Sequence, residues 1–296
     1  MTAQRPPINY YGSKVRLAPW IAAMLPPHRC YVEPFFGSGA VLFAKPVSTH
    51  EIVSDKDATV VNFFKVLRDR PRELARACVL TPYARDEYTA AVLDEPGIDE
   101  LERARRFWAR SVMSYNRCLN PRASWSSSAK RGSNDAVSAA NISDRLLAVA
   151  ERLRRVAIDN APAVKVVTKY GVHGAVIYAD PPYLGSARRS LERHRTSDYA
   201  CEHASEEDHR ELAEALRASE AVVLLSGYAS ALYDEELYPD WWRVERTVHR
   251  PSANRAGRGD SRATEVIWSN RPLPTQLELG WARAGVAGDG EPEAVG

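Results

Sequence analysis

Cysteine is scarce: Cys30, Cys78, Cys118 and Cys201 are the only four in 296 residues, and no two lie close together. That scattering excludes a disulfide-stapled scaffold and offers neither a zinc-ligand spacing nor a Cys-x-x-Cys redox pair. Long apolar runs are missing too. Nothing approaches the roughly eighteen residues of a membrane span, so none is expected. The opening residues Met1-Thr2-Ala3-Gln4-Arg5-Pro6-Pro7 lack the apolar stretch of a signal peptide. A reducing cytoplasm is the expected location. Excess charge is also absent, with 40 Lys plus Arg against 38 Asp plus Glu and a formal net charge of +2. Taken alone, that balance argues against a strong nucleic-acid binder. At 45% hydrophobic and 26% charged, the chain is neither disordered nor collagen-like. Its length suits one α/β domain of maximal size, or such a domain carrying an insertion.

The charge balance hides a strong segregation. From Arg103 to Asn134 there is no acidic residue, yet Arg103, Arg105, Arg106, Arg110, Arg117, Arg122, Lys130 and Arg131 fall there. Phe107, Trp108, Tyr115 and Trp125 are interleaved with them. A second basic run goes from Arg188-Arg189 to Arg193-His194-Arg195, and a third from Arg250 to Arg262. Acidic residues collect at Glu202 to Glu214 and after Gly280. Guanidinium groups beside planar rings suit a surface that tracks phosphates and touches bases. One such run reads as a solvated helix face; three together point to nucleic acid. The candidate contacts are Arg110, Tyr115, Asn116, Arg117, Arg122, Lys130 and Arg131, with Arg188 and Arg189. Arg can pair bidentately with guanine and Asn with adenine.

Strand patterns occur at Tyr31-Val32, Glu51 to Ser54, Val156 to Ile158, Ala175 to Tyr178 and Ala221 to Leu225. Helical spacing of Val60, Val61, Phe64 and Leu67 follows a cap at Asp57, and Ser205 to Asp208 forms a capping-box start for a helix to about Arg217. Trp242 to Val248 and Thr264 to Trp268 read as a late hairpin around a Gly/Arg/Ser-rich loop. His203 and His209 sit on the polar start of the helix before Arg217 and read as surface residues. Alternating strands and helices predict a mostly parallel sheet covered on both faces. Residues 69–155 change character, being helical and Arg-rich with a polar loop, and read as an insertion. The sheet domain is then 1–68 plus 156–272, and 273–296 reads as a disordered tail.

Two turns carry chemistry. Glu33-Pro34-Phe35-Phe36-Gly37-Ser38-Gly39 places two glycines where a strand passes into a helix, which lets backbone approach a ligand. Asp55 ends the next strand, where a carboxylate commonly takes two ribose hydroxyls. The dinucleotide fingerprint is incomplete, since Leu42 stands three after Gly39, and no GxxxxGK[ST] occurs. With Glu33 able to hold a cationic amino group, S-adenosyl-L-methionine fits better than a dinucleotide. The second turn is Asp180-Pro181-Pro182-Tyr183, directly after an apolar strand. Its prolines remove two backbone donors and stiffen the chain, so the Asp180 carboxylate and the Pro181 carbonyl can face one amine while Tyr183 offers a ring. An amine conjugated to a heteroaromatic ring is a poor nucleophile. Two acceptors on its hydrogens favour a pyramidal nitrogen and stabilise the charge that develops on methylation.

These residues resemble the Dam-like, alpha-class family of DNA adenine methyltransferases. The likeness runs through Asn9 to Lys14, Glu33 to Gly39, Asp55, Asp180 to Tyr183, Leu225-Ser226-Gly227-Tyr228 and Val266 to Asn270, in the family's order. It implies a Rossmann-like α/β fold: a mostly parallel seven-stranded sheet with a late antiparallel hairpin, plus an inserted helical DNA-recognition domain at 69–155. It implies S-adenosyl-L-methionine as cofactor, bordered by Tyr10, Gly12 and Lys14. Glu33, Phe35, Gly37, Ser38 and Gly39 would cradle its methionine end, Asp55 would hold its ribose, and Asp180 lies beside it. Asp180, Pro181, Pro182 and Tyr183 would hold the target adenine. Relatives carry an acidic residue near the cofactor's adenine where this chain has Pro162, which leaves Asp159, Asn160 or no side chain for that contact.

The resemblance further implies duplex DNA as partner, rotation of one adenine out of the stack, a monomer when free, and a bacterial or phage origin. A cognate restriction endonuclease is a partner consistent with it. No metal is expected. The rivals are a cytosine-amine methyltransferase, for which Ser is the usual residue in place of Asp180, an RNA-adenine enzyme with Asn there, and a non-catalytic DNA-binding protein on the same fold. A dinucleotide oxidoreductase would share the early βαβ unit but gives the Asp-Pro-Pro-Tyr turn no role.

Overall fold

The computed structural model describes residues 4–10, 12–114, 124–126, 141–183, 205–249 and 262–273. Seven strands form one sheet: β1 Cys30–Glu33, β2 His50–Ser54, β3 Val156–Asp159, β4 Ala175–Ala179, β5 Val222–Gly227, β6 Trp242–His249 and β7 Arg262–Ser269. Their order is β3-β2-β1-β4-β5-β7-β6. The first five strands pair in parallel, and β7 enters antiparallel between β5 and β6. The parallel part has the Rossmann strand order, and the expected late hairpin is the antiparallel end of the sheet.

Central strands of a parallel sheet are covered on both faces and read as apolar runs. β4 is the clearest case, buried at every residue from Ala175 to Ala179. Its side chains alternate as the pleat requires. Val176 and Tyr178 join the core on one face, while Ala175, Ile177 and Ala179 join the other.

The helices follow from spacing and caps. α1 (Ala18–Met24) and α2 (Ala40–Ala44) are short; α3 (Ala58–Asp69) is capped by Asp57, whose Oδ1 accepts from the Thr59 amide at 2.8 Å. α4 (Pro71–Val79), α5 (Arg85–Ala90), α6 (Glu100–Met113) and α7 (Ile142–Leu153) fall within residues 69–155. α6 packs along α3 and α7 along α4, so these helices share one core with the sheet's own covering layer. Phe63 of α3 meets Phe107 of α6 at a ring separation of 5.5 Å. A buried ion cluster fastens the far end: Glu51 of β2 takes Lys45 Nζ at 2.7 Å and the Arg152 guanidinium of α7 on both oxygens.

On the opposite face lie α8 (Ala163–Tyr170) and α9 (Glu206–Ala218), the latter opening with the Ser205–Asp208 capping box. His209 corrects the expectation of a surface position. It falls on the stripe with Leu212, Ala213 and Leu216, is buried, and shares a 2.7 Å hydrogen bond between its Nδ1 and the Tyr233 hydroxyl. Burial lowers its pKa. His203, Cys118, Cys201 and residues 274–296 lie outside the described residues. Among those that are described, no helix is long and apolar enough to cross a membrane.

Candidate functional site

The strand order reverses between β1 and β4, and a cleft of about 790 Å³ opens there at the carboxyl ends of the strands. That is the position at which open α/β sheets bind ligands, and the volume suits a small molecule. Tyr10, Gly12 and Lys14 from the N-terminal loop, Glu33 to Ser38, Asp55 and Asp180 to Tyr183 all line it. The structure thus brings together residues spread over most of the chain.

The glycine turn is held by one carboxylate. Asp55 Oδ2 accepts from the Gly37 amide at 2.7 Å and its Oδ1 from the Asp57 amide at 2.9 Å. Gly37 and Gly39 have φ of +48° and +70°, a region that disfavours side chains. A Cβ on Gly37 would stand 3.3 Å from the Tyr10 ring, and one on Gly39 would come within 2.6 Å of Phe36. Ser38 Oγ meets Ser13 Oγ at 2.6 Å, which ties the turn to the N-terminal loop. Gly39 is beneath the turn, against Phe36 and Phe43, and does not line the cleft.

Glu33 is buried at the end of β1, with Oε2 accepting from the Tyr31 hydroxyl at 2.9 Å. Burial lifts its pKa to about 8. Burial also lifts Asp55 to about 6, against the backbone amides that favour its charge. Such burial favours the neutral form of a carboxyl unless a cation comes beside it.

Around Asp180 the side chains form a closed polar cluster. Oδ1 accepts from Ser226 Oγ at 2.8 Å and pairs with Lys14 Nζ at 2.9 Å, with the Tyr183 oxygen 3.3 Å away. The Tyr183 hydroxyl donates to Glu265 Oε1 at 2.5 Å, and Lys14 Nζ also bonds the Tyr183 oxygen. Lys14 Nζ stands 3.4 Å from Glu265. Tyr183 leans on Tyr228 at a ring separation of 4.4 Å. Burial works to lower the Lys14 pKa, but the charges of Asp180 and Glu265 outweigh it and hold the ammonium above its ordinary value. Burial pushes the Glu265 carboxyl up, with Lys14 opposing.

Sequence reasoning did not single out Glu265. A signal existed: Glu265 shares the β7 face of Ile267, which is fully buried, so an acid there enters the interior. At the third wall, Pro162, Ala163, Val164 and Lys165 line the cleft, while Asp159 and Asn160 do not. Asn160 Nδ2 instead donates to the Asp55 carbonyl at 2.7 Å, joining the two loops.

The basic runs are only partly within the described residues. Tyr115, Asn116, Arg117, Arg122, Lys130, Arg131, Arg188 and Arg189 lie outside them. Arg110 is buried in the helical layer, its guanidinium 4.9 Å from the centre of the Tyr88 ring. Arg105 pairs with Glu102 and Glu87, and Arg106 with Glu102 and Glu95. Among the described residues no cluster of His, Cys, Asp and Glu could hold a metal ion.

Comparison with known proteins gives an extensive family match. Residues 10–253 fit the family profile described as D12 class N6 adenine-specific DNA methyltransferase. Among solved structures, precorrin 8W decarboxylase of Methanobacterium thermoautotrophicum overlaps with a TM-score of 0.37 at 9% identity, covering 90% of this chain and 95% of that one. The protein yhhF of Escherichia coli overlaps with a TM-score of 0.33 at 11% identity, covering 89% and 90%. Both structural likenesses are loose; the family match stands on the sequence.

Proposed function

The chain belongs to the D12 class N6 adenine-specific DNA methyltransferase family, and on that premise we propose that the cleft holds S-adenosyl-L-methionine against an adenine turned out of duplex DNA. The observation that carries this reading is one continuous cleft with Glu33 buried in its wall and the Asp180 cluster on the same lining. The residues fit the cofactor. Glu33 suits its ammonium, and the Gly37 turn leaves a cradle that a Cβ would fill. Asp55 and the Pro162–Lys165 wall are the candidates for its ribose and adenine. Bound there, the cofactor supplies a methyl group already activated on a sulfonium.

The chain's own residues then have three tasks. Extrusion of the adenine costs roughly a few kcal/mol, and the Tyr183 ring, backed by Tyr228, offers a face for the base to stack on. The Asp180 carboxylate and the Pro181 carbonyl accept the two amine hydrogens. That draws the nitrogen lone pair out of conjugation, so it can form the new N–C bond while the methyl's bond to sulfur would break and the sulfur would leave as a neutral thioether. The nitrogen carries positive charge until a proton leaves to water, and the Asp180 charge stabilises it meanwhile.

Residues 69–155 are read as the target-recognition insert, with Asn116, Arg117, Arg122 and Lys130 as groove or phosphate contacts and Arg188 and Arg189 on the catalytic side. The enzyme is read as a cytoplasmic monomer when free, with a restriction endonuclease as a compatible partner. Tritiated methyl transfer tests the reading. Label should enter adenine-containing duplex and not cytosine-only DNA or RNA. Asp180→Ala should abolish transfer while cofactor still binds; retained transfer by that variant would sink the assignment.

A further inference from the structure

The Asp180 cluster contains two carboxylates, Asp180 and Glu265, and one ammonium, Lys14. Lys14 Nζ is nearer Asp180, at 2.9 Å, than Glu265, at 3.4 Å. All three side chains are mostly withdrawn from water, with exposures of 8% for Lys14, 19% for Asp180 and 5% for Glu265. In such surroundings charges act on one another far more strongly than in solvent. An ammonium set against Asp180 alone would cancel the negative charge that methylation needs. The target nitrogen passes from neutral to cationic as its N–C bond forms, and it stays so until its proton leaves. A neutral Lys–Asp pair would do little for that charge.

We infer that Glu265 is a positioning residue that offsets Lys14, so that the cluster keeps a net negative charge facing the reacting amine. Glu265 acts through Lys14, drawing on its ammonium from 3.4 Å. It also accepts the Tyr183 hydroxyl at 2.5 Å, which fixes the ring on which the base is stacked. The two roles separate experimentally, because an amide still accepts from Tyr183 but carries no charge. The inference rests on the proposed methyl transfer to adenine.

The test is the single-turnover rate of methyl transfer to an adenine-containing duplex, with cofactor and DNA saturating, for wild type, Glu265→Gln and the double variant Lys14→Met/Glu265→Gln. Cofactor dissociation constants are measured alongside to verify folding and saturation. Glu265→Gln should slow transfer at least tenfold while its cofactor affinity stays within threefold of wild type. The double variant should be faster than Glu265→Gln, because the Asp180 charge is no longer cancelled. A Glu265→Gln rate within twofold of wild type would overturn the inference, and so would a double variant no faster than Glu265→Gln. Wild type that transfers no methyl to adenine would instead defeat the functional reading beneath it.

Discussion

Tyr31 and Glu33 stand two residues apart on β1, so their side chains share one face of the sheet, and the tyrosine hydroxyl donates to the buried carboxyl at 2.9 Å. The acid nearest the proposed ammonium subsite therefore sits in the core with a neutral partner. Burial raises its pKa to about 8, so it is mostly protonated at neutral pH.

Binding of a cationic amino group should expel that proton. At pH 7 cofactor binding is expected to release about one proton, falling towards zero above about pH 9. Calorimetry in buffers of different ionisation enthalpy measures the number directly. Glu33→Gln should bind with no proton released from this site and at least tenfold more weakly.

Stability should also depend on pH in a particular sense. Glu33 and Asp55 hold protons more tightly folded than unfolded, with values lifted to about 8 and about 6 from 4.5 and 3.8. Their contribution is complete below the unfolded values and is lost as pH rises through the folded ones. The ligand-free protein is expected to melt several degrees lower at pH 8 than at pH 5.5, and Glu33→Gln should flatten the decline. Glu51 runs the other way: despite its burial, bonds from Arg152 and Lys45 hold it below its ordinary value. Its contribution disappears only at acid pH.

The ion cluster that ties α7 to β2 should show an asymmetry between its members. Glu51→Leu strands Lys45 and Arg152 without their anion and is expected to cost about 3–5 kcal/mol. Arg152→Met leaves the Lys45–Glu51 pair intact and should cost less. Urea unfolding of both variants checks the order.

Gly39→Ala should be severe although Gly39 does not face the cleft. The backbone is left-handed there, at φ +70°, and the new Cβ would meet Phe36 at 2.6 Å and Phe43 at 2.7 Å. A loss of about 2–4 kcal/mol is expected, seen as a lower denaturant midpoint.

Much of the fold could be read from local pattern, because the strands that matter are central and buried. β1, β4 and β5 are short apolar runs, and the caps at Asp57 and Ser205 fall where a helix must begin. The cleft was legible for a similar reason: its acids and glycines stand at strand ends, where side chains leave the core. Glu265 and His209 escaped because each is one polar residue among apolar ones, and only its neighbours on the same face reveal its direction. Pairing within the basic stretch was hidden for another reason. A segment free of acids looks unpaired along the chain, yet Arg105 reaches Glu87 from another helix and Arg106 reaches Glu95. Linear distance says nothing about such partners.

The placement of β7 bears on when the polar cluster becomes complete. β5 pairs on one side with β4 and on the other with β7, which follows β6 in the chain and must enter between β5 and β6. Until it does, β5 presents an open edge, and Tyr183 and Lys14 lack the Glu265 carboxylate. The complete polar cluster exists only once β7 has paired with β5, so its assembly waits on the antiparallel end of the sheet.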